Sequence, residues 1–238
     1  MHISPRPVDL QSPRATLPAF GGYTPWSVEA PSPGPVLPRP MAVCAARDEE
    51  IVAQDDEAEH CYMVVSGCVR TVRLMQDGRR QVGEFLLPGD VFGWDALDKH
   101  DFGAEAVTQV TLHRFSRSGL AALADKDCAL SRRIRELTAI QVRAGREHMI
   151  LLGRMTAFER IASFLLEMAR RTKLDGRSHV ELPMNRADIA DYLGLTTETV
   201  CRQLTQLRRD GTIAINGTKF TIADRRTLEA AGCEGAIH

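Results

Sequence analysis

No stretch of the 238-residue sequence approaches the roughly eighteen consecutive apolar residues that a membrane-spanning helix requires. The N-terminus also lacks the basic and apolar segments of a secretion signal, so we expect a cytoplasmic protein that makes no contact with a membrane. Net charge is nearly absent as well, because thirty Lys and Arg face thirty-one Asp and Glu, which gives -1. Without an overall electrostatic field, any affinity for nucleic acid must come from a local surface.

Cysteine is too sparse and too dispersed for a disulfide scaffold in a chain of this length, so we expect reduced thiols. No internal repeat is visible. What the sequence does contain is 44% hydrophobic and 26% charged residues, which excludes a disordered chain and allows one large domain or two ordinary ones. The six cysteines are Cys44, Cys61, Cys68, Cys128, Cys201 and Cys233.

Proline is concentrated at the N-terminus. Ten of the twelve prolines lie in the first forty residues, which carry five charged side chains and no helical or alternating pattern. Because proline removes backbone donors and restricts its predecessor, residues 1–40 are predicted to be an extended, poorly ordered arm.

The next segment, residues 41–125, is predicted to form a small antiparallel β-roll or barrel. Short β-branched and apolar runs alternate with glycine-bearing turns such as Asp77-Gly78 and Pro88-Gly89-Asp90. The predicted strands include Tyr62–Val65, Val69–Leu74, Gln81–Leu86 and Val107–Leu112.

Residues 126–155 change to a helical period. A mostly apolar seam recurs at alternating spacings of three and four, which predicts a long helix that pairs with a second copy in a homodimer. The alternative is a helix packed on its own strand domain, and a second stripe through Ile140 and Ile150 leaves room for both. The predicted seam consists of Ile134, Leu137, Gln141, Ala144, His148, Leu151 and Met155.

A C-terminal domain is predicted over residues 156–238. A capping box of Thr156 and Glu159 opens its first helix, which we expect to end near Arg170-Arg171. Asp175-Gly176 then turns the chain into a short apolar segment, Val180 to Leu182.

Two short helices joined by a tight turn follow. Asn185 is the predicted cap of the first, with Asp188 in its first turn, and Thr197 begins the second. So short a connection forces a steep crossing, which needs a small residue at the contact, a residue able to adopt positive φ in the turn, and a β-branched filler. Ala190, Gly194 and Val200 meet these needs at helix-turn-helix spacing.

The outward face of the second helix presents Glu198, Cys201 and Arg202. Arginine can donate two hydrogen bonds to guanine and glutamate can accept one from cytosine, so this pair suits base reading in the major groove. A hairpin with a type I′ turn at Asn216-Gly217 is predicted as a wing. The candidate phosphate contacts are Thr196, Thr197, Arg208, Arg209 and Lys219.

The alternative is a helical hairpin that binds no nucleic acid. Residues 150–238 hold thirteen basic and eleven acidic side chains, a surplus of only +2, which favours this alternative somewhat. The caps, the turn glycine, the crossing alanine and the wing occur together, however, and this combination favours binding of double-stranded DNA.

This combination resembles the CRP/FNR superfamily of bacterial transcription regulators from about residue 43 onward. The most specific stretch, Leu182 to Arg202, is similar to the FNR and FixK branches, and Pro88 to Gly93 resembles the turn of their β-roll. The resemblance implies an α+β fold with a cyclic-nucleotide-binding-like roll (a double-stranded β-helix), a long dimerisation helix and a winged helix-turn-helix. It also implies RNA polymerase as a partner.

The resemblance further implies a target and a regulon. In that branch an E-x-x-S-R pattern reads a TTG half-site, which places the reading residues at Glu198 and Arg202. Cys201 stands where serine is usual, so the outer bases of the half-site stay open. We expect an activator at a TTG...CAA inverted repeat, in an oxygen- or nitrogen-related regulon such as nitrogen fixation.

The sensor motifs of the superfamily are not matched. Members that bind cyclic AMP use an arginine for the phosphate, whereas Phe102 to Ala106 contains none, and Glu105 is expected to repel the anion. Iron-sulfur members use closely spaced N-terminal cysteines, and none precedes Cys44. Neither a cofactor nor a metal is therefore predicted. Haem stays open in principle, although its candidate ligands have no distinguishing context: His60, His100, His113 and His148.

The sequence also allows two alternative functions and one candidate redox switch. A regulator gated by haem or a small molecule is the nearer rival. A β-roll binding module or enzyme is the other, but the paired histidines typical of such sites are missing, so no enzyme is expected. Oxidation of Cys201 would add bulk and negative charge beside DNA phosphates, which makes it a candidate redox switch. The alternative role for Cys201 is a serine-sized packing residue.

Overall fold

The computed structural model describes residues 40–94, 98–172 and 179–233. The predicted arm, apart from residue 40, and the turn predicted at Asp175-Gly176 lie outside the described residues. The chain divides into two compact units, Met1–Val142 and Arg143–His238. Within the described ranges, no helix is both long enough and apolar enough to span a bilayer.

The first unit is built from two four-stranded antiparallel sheets, which confirms the predicted β-roll. One sheet has the order β1-β8-β3-β6 and the other β2-β7-β4-β5. The strands are β1 Met41–Ala45, β2 Glu50–Val52, β3 His60–Ser66, β4 Val69–Leu74, β5 Arg80–Leu86, β6 Val91–Phe92, β7 Gly103–Ala106 and β8 Val110–Ser116.

Alternating side chains of both sheets fill the interior of the roll with apolar groups. Val64 and Leu112 come from one sheet, Val69 and Ala106 from the other, and all four are buried in one cluster. The rings of Tyr62 and Phe92 stack in the same cluster with their centroids 5.1 Å apart. Period-two alternation of this kind is what directs one face of each strand to the core.

One predicted strand begins later than expected. Val107 to Gln109 connect β7 to β8 instead of starting β8, although two of these residues are β-branched. The reason is tertiary, because the Thr108 hydroxyl accepts the Cys68 amide at 3.0 Å and holds the connection against the turn before β4. Gly67 in that turn has φ of +87°, and a Cβ there would clash with the Gln109 carbonyl oxygen.

Glu105 does not face the interior of the roll. Its neighbours Ala104 and Ala106 lie in the buried cluster, so alternation turns Glu105 to the outer face, opposite Arg70. Arg70, whose side chain is only 8% exposed, donates through Nε to Glu105 Oε2 at 2.8 Å and through Nη2 to Asp48 at 3.3 Å. The charge of Glu105 is therefore paired with Arg70 on the outer face of its strand, and its expected repulsion of a cyclic phosphate stays a prediction.

Two helices follow the roll. The short helix α1, Arg117–Ala124, was not predicted, and the Ser116 hydroxyl caps it by accepting the Gly119 amide. The long helix α2, Cys128–Arg154, runs without interruption and confirms the predicted long helix. Its last twelve residues belong to the second unit.

Two residues of the predicted dimer seam, His148 and Met155, contact other residues of their own chain. His148 stacks on Tyr192 of its own chain with ring centroids 4.4 Å apart, and the sulfur of Met155, just beyond the helix, accepts a hydrogen bond from Ser163. Both residues therefore pack within their own unit. The most exposed large apolar side chains of α2 are Val142 (48%), Met149 (67%) and Ile150 (37%).

The second unit contains the predicted capping box, because the Thr156 amide donates to Glu159 and the Glu159 amide donates back to Thr156. The three strands form one antiparallel sheet in the order β10-β11-β9. The elements are α3 Ala157–Thr172, β9 Val180–Glu181, α4 Arg186–Leu193, α5 Thr197–Arg209, β10 Ile213–Asn216, β11 Lys219–Ile222 and α6 Arg225–Cys233.

The hairpin of β10 and β11 is present, but its turn is not type I′. Asn216 pairs with Lys219, so the two loop residues are Gly217 and Thr218. Only Gly217 has positive φ, at +62°, whereas a type I′ turn requires it at both central positions. A further difference is the helix α6, which was not predicted and packs on α3 with Leu228 fully buried.

Candidate nucleic-acid interface

The helix α4 begins with a reciprocal capping box. The Asn185 side chain accepts the Asp188 amide at 2.8 Å, and the Asp188 carboxylate accepts the Asn185 amide at 3.4 Å. Asp188 is buried, yet these bonds and the positive end of the helix dipole satisfy its charge. The cap therefore sets where α4 starts.

The crossing of α4 and α5 contains the three residues predicted for it. Ala190 and Val200 are buried on the two helices, which contact each other. Gly194 ends α4 in the left-handed conformation with φ of +61°. The Thr196 hydroxyl then accepts the Thr199 amide and caps α5, so the connection is only three residues long.

The two sides of α5 are chemically distinct. Val200, Leu204 and Leu207 are buried, while Glu198 and Arg202 point to solvent. Among the residues that the structure describes, neither of these two charged side chains forms an ion pair. Cys201 is exposed beside them, so three groups at helical spacings of three and four share one open face.

The predicted phosphate contacts are all exposed but do not form one cluster. Thr196 and Thr197 lie at the N-terminal end of α5, next to Glu198. Arg208 and Arg209 lie in its last turn, about 17 to 20 Å further along the helix axis at about 1.5 Å per residue. Lys219 begins β11 in the wing hairpin.

Arg160 and Tyr192 were missed by the sequence reasoning. Arg160 of α3 donates through Nη1 to the Leu193 carbonyl at 2.8 Å, beside the turn of the helix pair. Tyr192 of α4 stacks on His148 of α2. Backbone carbonyl partners leave no pattern in a sequence, and for this reason no local signal pointed to Arg160.

Burial changes the pKa values of a thiol and a histidine in the first unit. Burial raises the pKa of the Cys61 thiol to about 11, so this thiol stays protonated. Burial also lowers the pKa of His113. Within residues 40–94, 98–172 and 179–233, no three His, Cys, Asp or Glu side chains are grouped so that they could hold a metal ion.

Comparison with known families agrees with this architecture. Residues 159–231 match the Crp-like helix-turn-helix domain family, and this segment includes α4, α5 and the wing. Residues 43–127 match the cyclic nucleotide-binding domain family, which covers the β-roll.

Related proteins extend the match over most of the chain. The nitrogen fixation regulation protein FixK of Azorhizobium caulinodans is 47% identical over 187 residues, covering 77% of this chain and 75% of that protein. The transcriptional activator protein FnrL of Cereibacter sphaeroides is 36% identical, covering 77% of each. The structure of FixK2 from Bradyrhizobium japonicum superposes with a TM-score of 0.78 at 42% identity, covering 81% of this chain and 96% of that one. The chain therefore belongs to the CRP/FNR superfamily of transcription regulators, in its FixK-like branch.

Proposed function

We propose that the protein is a homodimeric transcription activator that reads a TTG...CAA inverted repeat in double-stranded DNA. The observation that carries the proposal is the exposed pair Glu198 and Arg202 on α5, the second helix of a capped and tightly crossed helix pair. A helix in this position inserts its N-terminal side chains into the major groove.

The chemistry of the exposed face fits base recognition. The guanidinium of Arg202 can donate two hydrogen bonds to guanine O6 and N7, and the Glu198 carboxylate can accept one from cytosine N4. Cys201 is exposed on the same face, and we propose that it contacts a base as well. Thr196, Thr197, Arg208, Arg209 and Lys219 are the proposed phosphate contacts, which fix position but carry no sequence information.

A second copy of the chain is proposed to pair along α2. Thr138, Val142, Gly145 and Met149 are spaced by four, three and four residues and are all exposed on one face of the helix. This face is offset by one residue from the predicted seam, whose members His148 and Met155 pack within their own unit. Paired helices of this kind place two recognition helices about one DNA turn, roughly 34 Å, apart and explain an inverted repeat.

The regulon is proposed from the relatives. FixK of Azorhizobium caulinodans is named for nitrogen fixation regulation and FnrL of Cereibacter sphaeroides for transcriptional activation. We infer that this protein serves an oxygen- or nitrogen-related regulon and contacts RNA polymerase as an activator. The polymerase contact is tested by transcription in vitro from a promoter that carries the inverted repeat.

Selection from random duplex DNA tests the proposed specificity. We expect the full-length protein to enrich TTG and CAA triplets in inverted orientation. Arg202→Ala is expected to weaken binding by about 1 to 3 kcal/mol and to relax discrimination at the guanine. Arg209→Ala is the matched control, because loss of a phosphate contact weakens all sequences alike. Enrichment of no triplet, or unchanged guanine discrimination in Arg202→Ala, contradicts the proposal.

A further inference from the structure

Arg160 lies where two helices end. It belongs to the first turns of α3, and its guanidinium donates to four backbone carbonyls. Nη2 reaches Leu152 at 2.7 Å and Nε reaches Met155 at 2.9 Å, both at the end of α2. Nη1 reaches Leu193 at 2.8 Å and Gly194 at 3.5 Å, both at the end of α4.

These acceptors are the groups that a helix leaves unpaired at its C-terminus. The last four carbonyls of a helix have no partner within it, and they carry the negative end of the helix dipole. The end of α2 and the end of α4 therefore both require donors and positive charge. Arginine supplies several donors in a rigid planar fork, so one side chain satisfies both helix ends and fixes their separation.

Two other contacts join the same helix ends. His148 of α2 and Tyr192 of α4 stack with their ring centroids 4.4 Å apart; His148 lies four residues before Leu152, and Tyr192 directly precedes Leu193. A Cβ on Gly194 would lie 3.3 Å from the Leu152 side chain and 3.5 Å from Arg160 Nη1. The turn that leads into α5 is thus packed directly against the last turns of α2.

We propose that Arg160 is a positioning residue for DNA recognition, which holds α4 and hence α5 in one direction relative to the end of α2. This inference rests on the proposed function. If two copies pair along α2, a rigid link from α2 to α5 in each copy fixes the separation and phase of the two recognition helices. The dimer then accepts one spacing of half-sites, since one extra base pair moves a half-site by about 3.4 Å and rotates it by about 35°.

The test measures how sharply the full-length dimer discriminates half-site spacing. The probes are duplexes in which TTG and CAA are separated by spacers that vary one base pair at a time, together with a duplex that carries a single TTG. We expect the parent protein to lose about tenfold or more in affinity when its preferred spacer changes by one base pair. Arg160→Met should reduce this penalty to about threefold or less and leave single-TTG binding within about twofold of the parent.

The controls separate positioning from folding and from the proposed function. Arg154→Met removes an exposed arginine at the end of α2 and should keep the sharp spacing preference. If Arg160→Met does not fold, Arg160→Lys keeps the charge but loses the fork, and it should show intermediate broadening. A folded Arg160 variant with the parent's sharp preference, or with an equal loss on the single-TTG duplex, overturns the inference. A parent protein that ignores every TTG duplex instead contradicts the proposed function.

Discussion

Two polar side chains of the second unit, Asp188 and His148, meet different surroundings. Asp188 exchanges hydrogen bonds with Asn185 at the start of α4. His148 is stacked on Tyr192, and its two buried ring nitrogens lack a hydrogen-bond partner among the described residues. Burial, and secondarily the charge of Arg160, lowers the pKa of His148 below its usual value. The fold thus favours the neutral imidazole at this position.

This preference predicts a pH-dependent stability. The pKa of His148 is lower in the folded state than in the unfolded state, where it is about 6.5. The stability that neutral His148 contributes is therefore fully present above about pH 6.5 and is lost as the pH falls below this value. His148→Phe keeps an aromatic ring for stacking and removes the proton site. We expect thermal unfolding to show a smaller loss of stability between about pH 7 and pH 5 in this variant than in the parent.

An equal loss of stability between about pH 7 and pH 5 in His148→Phe and in the parent protein contradicts the prediction. Some slope must remain in the variant, because the pKa values of His60 and His113 are also lowered, in both cases chiefly by burial. His113→Phe is a matched control in the first unit. His113→Phe should still show the loss of stability that protonation of His148 causes as the pH falls below about 6.5.

Cys201 carries the second prediction at this scale. Its side chain is exposed on α5 beside Arg202, so a sulfenic or sulfinic group there would stand beside the DNA phosphates. We expect peroxide to weaken binding of the parent protein to a TTG...CAA duplex, and Cys201→Ser to resist this loss, in a gel-shift assay. Cys128→Ser is the control, because Cys128 is the other cysteine described as exposed. Equal loss in Cys201→Ser and the parent places the oxidant-sensitive group elsewhere.

At the scale of elements, the helix pair depends on one glycine. Gly194 has φ of +61°, which costs an L-residue about 1 to 2 kcal/mol, and its open side faces Leu152. Gly217 in the wing turn has φ of +62° but nothing within 4 Å of a Cβ. The two positions therefore separate backbone strain from packing.

Alanine at each glycine tests this separation. We expect both variants to lose about 1 kcal/mol of unfolding free energy from the strained φ. Gly194→Ala should lose more than Gly217→Ala, since its methyl group also displaces Leu152. Urea unfolding of the two variants measures the difference, and equal losses would show that the contact with Leu152 yields without cost.

At the scale of the whole molecule, the long helix carries an apolar surface that the described residues leave exposed. Met149 is 67% exposed and Val142 48% exposed, although both are large apolar side chains. Gly145 between them offers room for the close approach of a second helix. The proposed homodimer covers this surface.

A charge on this surface tests the dimer. Met149→Asp is expected to yield monomers in sedimentation experiments and to bind a TTG...CAA duplex no more tightly than a single-TTG duplex, because two buried carboxylates would repel each other. Arg132→Asp, at an exposed position of α2 outside the proposed face, should stay dimeric. A dimeric Met149→Asp protein contradicts the proposed pairing face.

Local signals predicted the helix-turn-helix closely. The cap Asn185, the turn residue Gly194 and the helix start at Thr197 depend on signals within a few residues of the chain, and the structure has α4 and α5 where these residues indicate. The same holds for the strand Val69–Leu74. Signals that depend on distant partners failed, as at Val107 to Gln109, where Thr108 is tied to Cys68.

The sequence also did not show which face of a helix or strand each side chain occupies. An apolar spacing of three and four on α2 fitted two different faces, and only contact with α4 assigned His148 to its own chain. Glu105 likewise occupied a strand whose two faces the sequence could not distinguish until Arg70 was found opposite it. A one-residue difference in strand register reverses every such assignment.

By itself the sequence determined the succession of a β-roll, a long helix and a helix-turn-helix, the capped helix pair and the polar residues on its outer side, because capping, turn geometry and periodicity act between near neighbours. Only the tertiary structure decided that Arg160 joins the ends of α2 and α4, that Glu105 faces outward and that the exposed stripe of α2 runs through Val142 and Met149. The physical reason is that these features depend on which backbone carbonyls and side chains approach each other across the fold. Such partners are chosen by packing and leave no mark at fixed spacing along the chain.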